Sequence, residues 1–245
     1  MEPLAKLHLQ NLSYSYGGAP VLEDVSFSVA QGQFVTLLGP SGCGKSTLLH
    51  IIAGLLPCPQ AVILCEGQPA ARHHFAYMPQ DDLLLPWRTV LQNACLFADI
   101  QGRDKKEALQ RAETLLEPFG LAGTGHLYPG QLSGGMRQRA AFLRTFLCQA
   151  DILLLDEPFG ALDALTRNRM QEWLITMREA LGRTIILVTH DIEEAVLLSD
   201  RILILSGSPA GIVADLPVTT PVARRDRNWL LSQIEIKQRV YQMLT

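Results

Sequence analysis

An α/β fold with a mostly parallel core sheet, a small N-terminal antiparallel β part and an inserted α-helical subdomain is what the sequence predicts. Three observations predict it. Short apolar runs such as Ile152-Leu153-Leu154-Leu155 and Ile185-Ile186-Leu187-Val188 alternate with helical segments, as strands buried on both faces alternate with the helices that cover them. One apolar run ends in a glycine-rich loop that opens directly into a helix. A long helical stretch then interrupts the alternation before it resumes.

Taken in order, residues 5–30 carry two strand signals, with Val25, Phe27 and Val29 alternating with small or polar neighbours and Gly17-Gly18 marking the turn. Residues 34–38 form a buried strand and 44–56 a helix. Pro57-Cys58-Pro59 leads to strands at 61–65 and near 74–78. From Thr89 to Leu147 the pattern is helical, with Lys105, Glu107 and Arg111 on one face. Strand 151–156, helix 166–181, strand 184–189, helix 191–198 and strand 201–206 follow, then a strand, an extended crossing and a helix near 228–244. The expected organisation is a single domain. Residues 1–88 and 149–225 form the core with its antiparallel part, 89–148 the helical insert and 226–245 a C-terminal helix.

Composition narrows the functions. The chain has 245 residues, 48% of them apolar, enough for a substantial core. A net charge of -3 gives no general attraction to nucleic acid. Its apolar runs fall well short of the roughly 18–20 residues of a membrane helix, and Met1-Glu2-Pro3 does not open a signal peptide. A membrane role therefore implies a partner. The five cysteines are odd in number and form no C-x-x-C pair, so reduced thiols are expected rather than a disulfide or zinc framework. His73-His74, placed on a strand, would face opposite sides and make a poor metal pair.

Gly39-Pro40-Ser41-Gly42-Cys43-Gly44-Lys45-Ser46-Thr47 matches G-x-x-x-x-G-K-[ST], and it stands between a strand and a helix as that pattern requires. The glycines let backbone amides wrap a phosphate at a helix N-terminus. Lys45 adds charge for the outer phosphates, and the Ser46 hydroxyl suits Mg²⁺. Cys43 is expected to be a small filler and not a nucleophile. The fold is thus that of a P-loop NTPase. Asp156 and Glu157 end the apolar strand 151–156 at the same sheet edge, where open α/β sheets bind ligands. Asp156 is the candidate for Mg²⁺ and Glu157 for polarising the attacking water.

Leu132-Ser133-Gly134-Gly135-Met136-Arg137-Gln138-Arg139 resembles the signature of the ABC ATPases, with Met136 where glutamine is common. Ser133 as a helix cap and two bare glycines suit a phosphate. Other stretches resemble the family's motifs in the family's order. Gln80 resembles the Q-loop glutamine, reaching Mg²⁺ and water. Gly160-Ala161-Leu162-Asp163 resembles the D-loop, His190 the switch histidine at the γ-phosphate, and Tyr16 the adenine-stacking aromatic, with Tyr14 its competitor. The resemblance implies ATP and Mg²⁺ as cofactors and a homodimer holding each ATP between one subunit's phosphate loop and the other's signature, with Ser133, Gly134, Gly135 and Asp163 on the nucleotide. It also implies transmembrane permease subunits, an extracytoplasmic substrate-binding protein and a peripheral position on the cytoplasmic membrane face.

Leu83-Leu84-Leu85-Pro86-Trp87-Arg88-Thr89-Val90, with the segment 157–167, is similar to importer ATPases of the nitrate/sulfonate/taurine type, whose relatives include bicarbonate and thiamin-pyrimidine-precursor carriers. The resemblance places the permease contact at 83–90, and local packing under the helical insert is the competing reading. Two departures stand out: a short connection from Lys45 to Gln80, and Gln60-Ala61 at a turn where relatives often carry glycine. The rival readings are a soluble ABC ATPase of an assembly or repair complex and a regulatory nucleotide-binding module; Trp87 speaks against the first, Glu157 and His190 against the second.

Overall fold

A computed structural model describes residues 5–244. In chain order its elements are β1 (Ala5–Tyr16), β2 (Ala19–Ala30), β3 (Phe34–Leu38), α1 (Lys45–Ile52), β4 (Val62–Cys65), β5 (Gln68–Pro69), β6 (Phe75–Met78), α2 (Val90–Ala94), α3 (Leu96–Ile100), α4 (Lys105–Leu116) and α5 (Gly134–Phe146). They continue with β7 (Ile152–Asp156), α6 (Ala164–Leu181), β8 (Thr184–Thr189), α7 (Ile192–Leu198), β9 (Arg201–Gly207), β10 (Ala210–Pro217), α8 (Arg227–Ser232) and α9 (Ile234–Leu244).

The ten strands form one sheet in the order β5-β4-β1-β2-β10-β9-β3-β8-β7-β6. From β9 to β6 every pairing is parallel. The β1–β2 hairpin, β4 and β5 pair antiparallel at the other end. A parallel strand covered on both faces should be apolar along its length, and β7 shows it up to its terminal Asp156: Leu153 and Leu155 enter one core cluster with Phe119 and Phe142, while Ile152 and Leu154 enter another with Leu9, Phe27 and Leu49. Trimming one of these leucines to alanine costs about 2–5 kcal/mol. Parallel order brings the C-terminal ends of β3, β7 and β8 to one edge, and each is followed by a residue of the site described below.

The structure corrects several expectations of detail. The helix placed at 44–56 is confined to Lys45–Ile52, because Gly54 turns the chain with φ +69°. The helical stretch from Thr89 to Leu147 is four helices, interrupted at Cys95, around Gly102 (φ +65°) and over 117–133. The C-terminal helix at 228–244 is two, α8 and α9, parted at Gln233, where ψ +47° leaves the helical range. His73 and His74 occupy a single 3₁₀ turn, not a strand, and their rings meet edge to face at 4.3 Å. No helix among the described residues is long and apolar enough to cross a membrane.

Candidate active site

The loop from Gly39 to Gly44 joins β3 to α1, and its glycines are dictated by geometry. A Cβ on Gly39 would stand 2.5 Å from the Leu205 backbone carbonyl oxygen, and Gly44 holds φ +105°, which L side chains rarely adopt. Pro40, Ser41 and Gly42 form the exposed tip, and Thr47 lies partly buried on α1. Cys43 lines the loop with its thiol pushed above the ordinary value by burial, which outweighs the nearby Lys45 ammonium and suits a filler better than a nucleophile. The Lys45 ammonium lies back across the loop and donates to the Gly39 and Pro40 carbonyls at 2.9 and 2.7 Å. These are neutral acceptors, and an oxyanion of phosphate competes with them on favourable terms.

Ser46 Oγ donates to Asp156 Oδ1 at 2.9 Å, and the other carboxylate oxygen, Oδ2, accepts from Tyr77 Oη at 3.0 Å. His50 Nε2 touches the same phenol oxygen at 2.9 Å. Burial and the adjacent Asp156 charge push the Tyr77 phenol well above its ordinary value, so it remains a donor. The donor set suits Mg²⁺: a hydroxyl and a carboxylate oxygen side by side beside the phosphate loop, two hard ligands with the remaining positions left to phosphate and water.

Glu157 follows β7 in the left-handed region, φ +43°, a conformation costly for a side chain with a Cβ. Its amide donates to the Val188 carbonyl at 2.9 Å, and Oε2 lies 3.1 Å from His190 Nδ1. The carboxylate thereby meets His190, the residue that follows β8. A Cβ built on Gly160 would lie 3.4 Å from Gln80 Nε2 and 3.7 Å from Glu157 Oε2, so the glutamine amide and the carboxylate converge beside this glycine. Gln80, Asp156, Glu157 and His190 are thus gathered at one edge with Lys45 and Ser46.

Among the described residues, no hydrogen bond joins the remaining site residues to that cluster. Ser133 caps α5 and accepts from the Met136 amide at 3.3 Å. Gly134 and Gly135 open the helix against α6, where a Cβ on Gly135 would press within 2.8 Å of Thr166 Cγ2. Met136 packs against the helical core cluster, which gives the departure from glutamine a use. Asp163 caps α6, accepting from Thr166 N at 3.0 Å, and bonds from Thr166 hold its carboxyl below the ordinary range. Tyr16 is 50% exposed, edge-on to Tyr14 at 5.0 Å; Tyr14 packs into the core, which leaves Tyr16 the ring free to stack.

The sequence reading missed Tyr77, His50, Arg167 and Glu194. His50 lies one turn beyond Ser46 on α1, and that i, i+4 spacing was the available signal. Glu194 stands in an Asp191-x-x-Glu194 pattern that reads as an ordinary capping box, which concealed it.

This fold and edge define an ATPase of the P-loop class. The chain belongs to the ABC transporter family, whose model matches residues 22–160. It is 48% identical to the formylaminopyrimidine import ATP-binding protein ThiZ of Halalkalibacterium halodurans, over 89% of this chain and 87% of that protein. It is 44% identical to the taurine import ATP-binding protein TauB of Yersinia pestis, over 86% and 83%. Among solved structures it is similar to the dimeric bacterial ABC transporter cassette MJ0796, with TM-score 0.74 and 29% identity over 88% of this chain and 100% of that one. At 23% identity and TM-score 0.79, cbiO1 of Clostridium perfringens shares the fold over 97% of this chain and 95% of its own.

Proposed function

We propose that this ATPase energises solute import, working as a pair of identical subunits seated under permease subunits at the cytoplasmic membrane face. The observation that carries the pairing is the isolation of the signature. Among the described residues, no hydrogen bond joins Ser133, Gly134 or Gly135 to the phosphate loop. In this reading a capped helix N-terminus that suits an anion serves a nucleotide held on the phosphate loop of a second copy. The dimeric cassette named above and the import relatives support the same reading, and the soluble-assembly alternative has no comparable support.

In this reading the loop amides and Lys45 hold the phosphates, and Tyr16 stacks on adenine. Mg²⁺, held by Ser46 and Asp156 with Gln80 approaching, supplies charge neutralisation on the phosphate oxygens. Glu157 accepts a proton from the attacking water, and His190, bonded to that carboxylate, orients it and meets the γ-phosphate. Trp87 and Leu83, 70% and 60% exposed, form the permease contact. Arg144 grips the backbone beneath them, donating to the Leu83 and Asp82 carbonyls at 2.6 and 2.7 Å. The cargo, taken up through a permease and an extracytoplasmic binding protein, is of the sulfonate/taurine type or a pyrimidine precursor; the 48% identical relative favours the pyrimidine.

Glu157→Gln keeps the side chain's shape and removes its basicity. The variant should accumulate as an ATP-bound dimer on size exclusion while turnover falls about a hundredfold or more. A variant that stays monomeric with ATP would count against the paired site.

A further inference from the structure

Behind the Glu157–His190 pair lies a cavity of about 50 Å³ walled by Glu157, Arg167, Thr189, His190 and Glu194, among others. Two of these residues carry buried polar atoms without a partner: Glu194 Oε1 and Arg167 Nε. Glu194 is only 4% exposed. Its other oxygen, Oε2, accepts from Thr189 Oγ1 at 2.5 Å, and the same hydroxyl accepts from the Asp191 amide at 3.0 Å. Glu194 therefore holds the residue before His190, and through it the residue after.

We propose that Glu194 is a positioning residue for the Glu157–His190 pair, acting as a neutral acid that, together with Arg167, fixes an ordered water in this cavity. The proposal rests on the catalytic reading of that pair. Room for about one or two waters and several polar walls meet the requirements for such a site. The valence of water fits as well. It accepts from a protonated Glu194 Oε1 and from Arg167 Nε, which leaves both its hydrogens for acceptors such as the Glu157 carboxylate. An ionised Glu194 would claim one of those hydrogens and loosen the hold on Glu157.

The surroundings favour the neutral form. Burial pushes the Glu194 carboxyl up to about 8. The Thr189 hydroxyl opposes this, Asp191 at the head of α7 and Glu157 at the end of β7 reinforce it, and Arg167 from α6 opposes it. His190 faces the same cavity from the end of β8, while Glu193 turns outward to Lys237 of α9 at 3.2 Å. Arg167 is itself fixed, donating to the Leu162 carbonyl at 3.1 Å, with Asp191 4.0 Å away.

Glu194→Gln replaces the acidic O–H by an amide N–H donor of the same shape, and Glu194→Leu removes the polar function. The wild type should show a decline in activity as pH passes about 8, and the Gln variant should keep kcat within about twofold and lose that decline. The Leu variant should lose kcat about tenfold with KM for ATP little changed. Melting gives a second readout that does not need turnover. Between about pH 4.5 and 8 the folded wild type keeps a proton that the unfolded chain releases, so its stability falls as pH rises; the Gln variant lacks that slope. If Gln is as damaging as Leu, or if wild type and Gln share both the alkaline decline and the melting slope, the proposal is overturned. A wild type without ATPase activity would sink the functional reading instead and leave the melting comparison as the judge of Glu194.

Discussion

The sheet edge and the signature–docking side of this molecule are built on opposite plans. At the edge most candidate catalytic groups already have a protein partner: Lys45 the loop carbonyls, Ser46 Asp156, Asp156 Tyr77, and Glu157 His190. On the other side the groups are held from behind and left bare in front. Arg144 grips the Leu83 and Asp82 carbonyls, and Asn93 takes the Leu85, Arg88 and Thr89 carbonyls at 3.2, 3.0 and 3.0 Å, while Leu83 and Trp87 project outward. Preorganised donors lower a barrier without being rearranged at the moment of reaction. Rigidly mounted apolar side chains are what a docking surface needs. Under the proposed function the first side is therefore preorganised within one chain, and the second is completed by a partner. Substitutions at the edge should show in the isolated subunit; those at the docking loop should show only in the assembled transporter.

Gly39→Ala should break the first side most completely. The new Cβ would lie 2.5 Å from the Leu205 backbone carbonyl oxygen, a contact no rotamer relieves. Either β3 and β9 part or the loop moves, at a strain of about 1–3 kcal/mol. Fluorescence titration should find ATP affinity lowered about tenfold or more, even at concentrations where the protein is monomeric. Wild-type affinity would mean that the loop tolerates the displacement and that this edge is less fixed than its contacts indicate.

Tyr77→Phe trims the same side without breaking it. Asp156 loses the phenol donor on Oδ2 and keeps Ser46 on Oδ1. A carboxylate freed from its orienting donor binds metal about tenfold more weakly. The Mg²⁺ concentration for half-maximal nucleotide binding should rise by that factor, while nucleotide binding without Mg²⁺ stays as in the wild type. An unchanged Mg²⁺ requirement would reduce the Tyr77 hydroxyl to a packing detail.

These two residues also mark what could be read in the sequence. Gly39 was legible because its constraint is local: a strand, a glycine loop and a helix follow one another within a few residues. The parallel sheet was legible for a similar reason, since β7 and β8 are buried throughout and apolar at every position but their ends, Asp156, Thr184 and Thr189. Tyr77 was not legible, because its partner Asp156 is 79 positions away and only the parallel β6–β7 pairing brings the two together. Glu194 was hidden by a pattern that local rules explain too well. The breaks that divide α2 to α5 and part α8 from α9 were missed because amphipathic periodicity runs through a turn such as Cys95 without interruption.

Trp87→Ala is the mildest change and tests the second side most directly. The indole is 70% exposed, so its removal opens no cavity and the subunit should melt as before. Its neighbours explain why the loop should keep its shape. Leu84 remains buried, Asn93 still binds the backbone around it, and Arg88 still pairs with Asp99 at 2.6 Å. Basal ATPase activity of the isolated subunit should therefore stay within about twofold of the wild type. In vesicles containing the permease, the apolar anchor is gone from the contact, and transport per ATP should fall several-fold as a truncated hot spot weakens docking. If basal hydrolysis falls instead, Trp87 belongs to the internal architecture of the subunit, and the division between a side finished in one chain and a side finished by a partner does not hold at this loop.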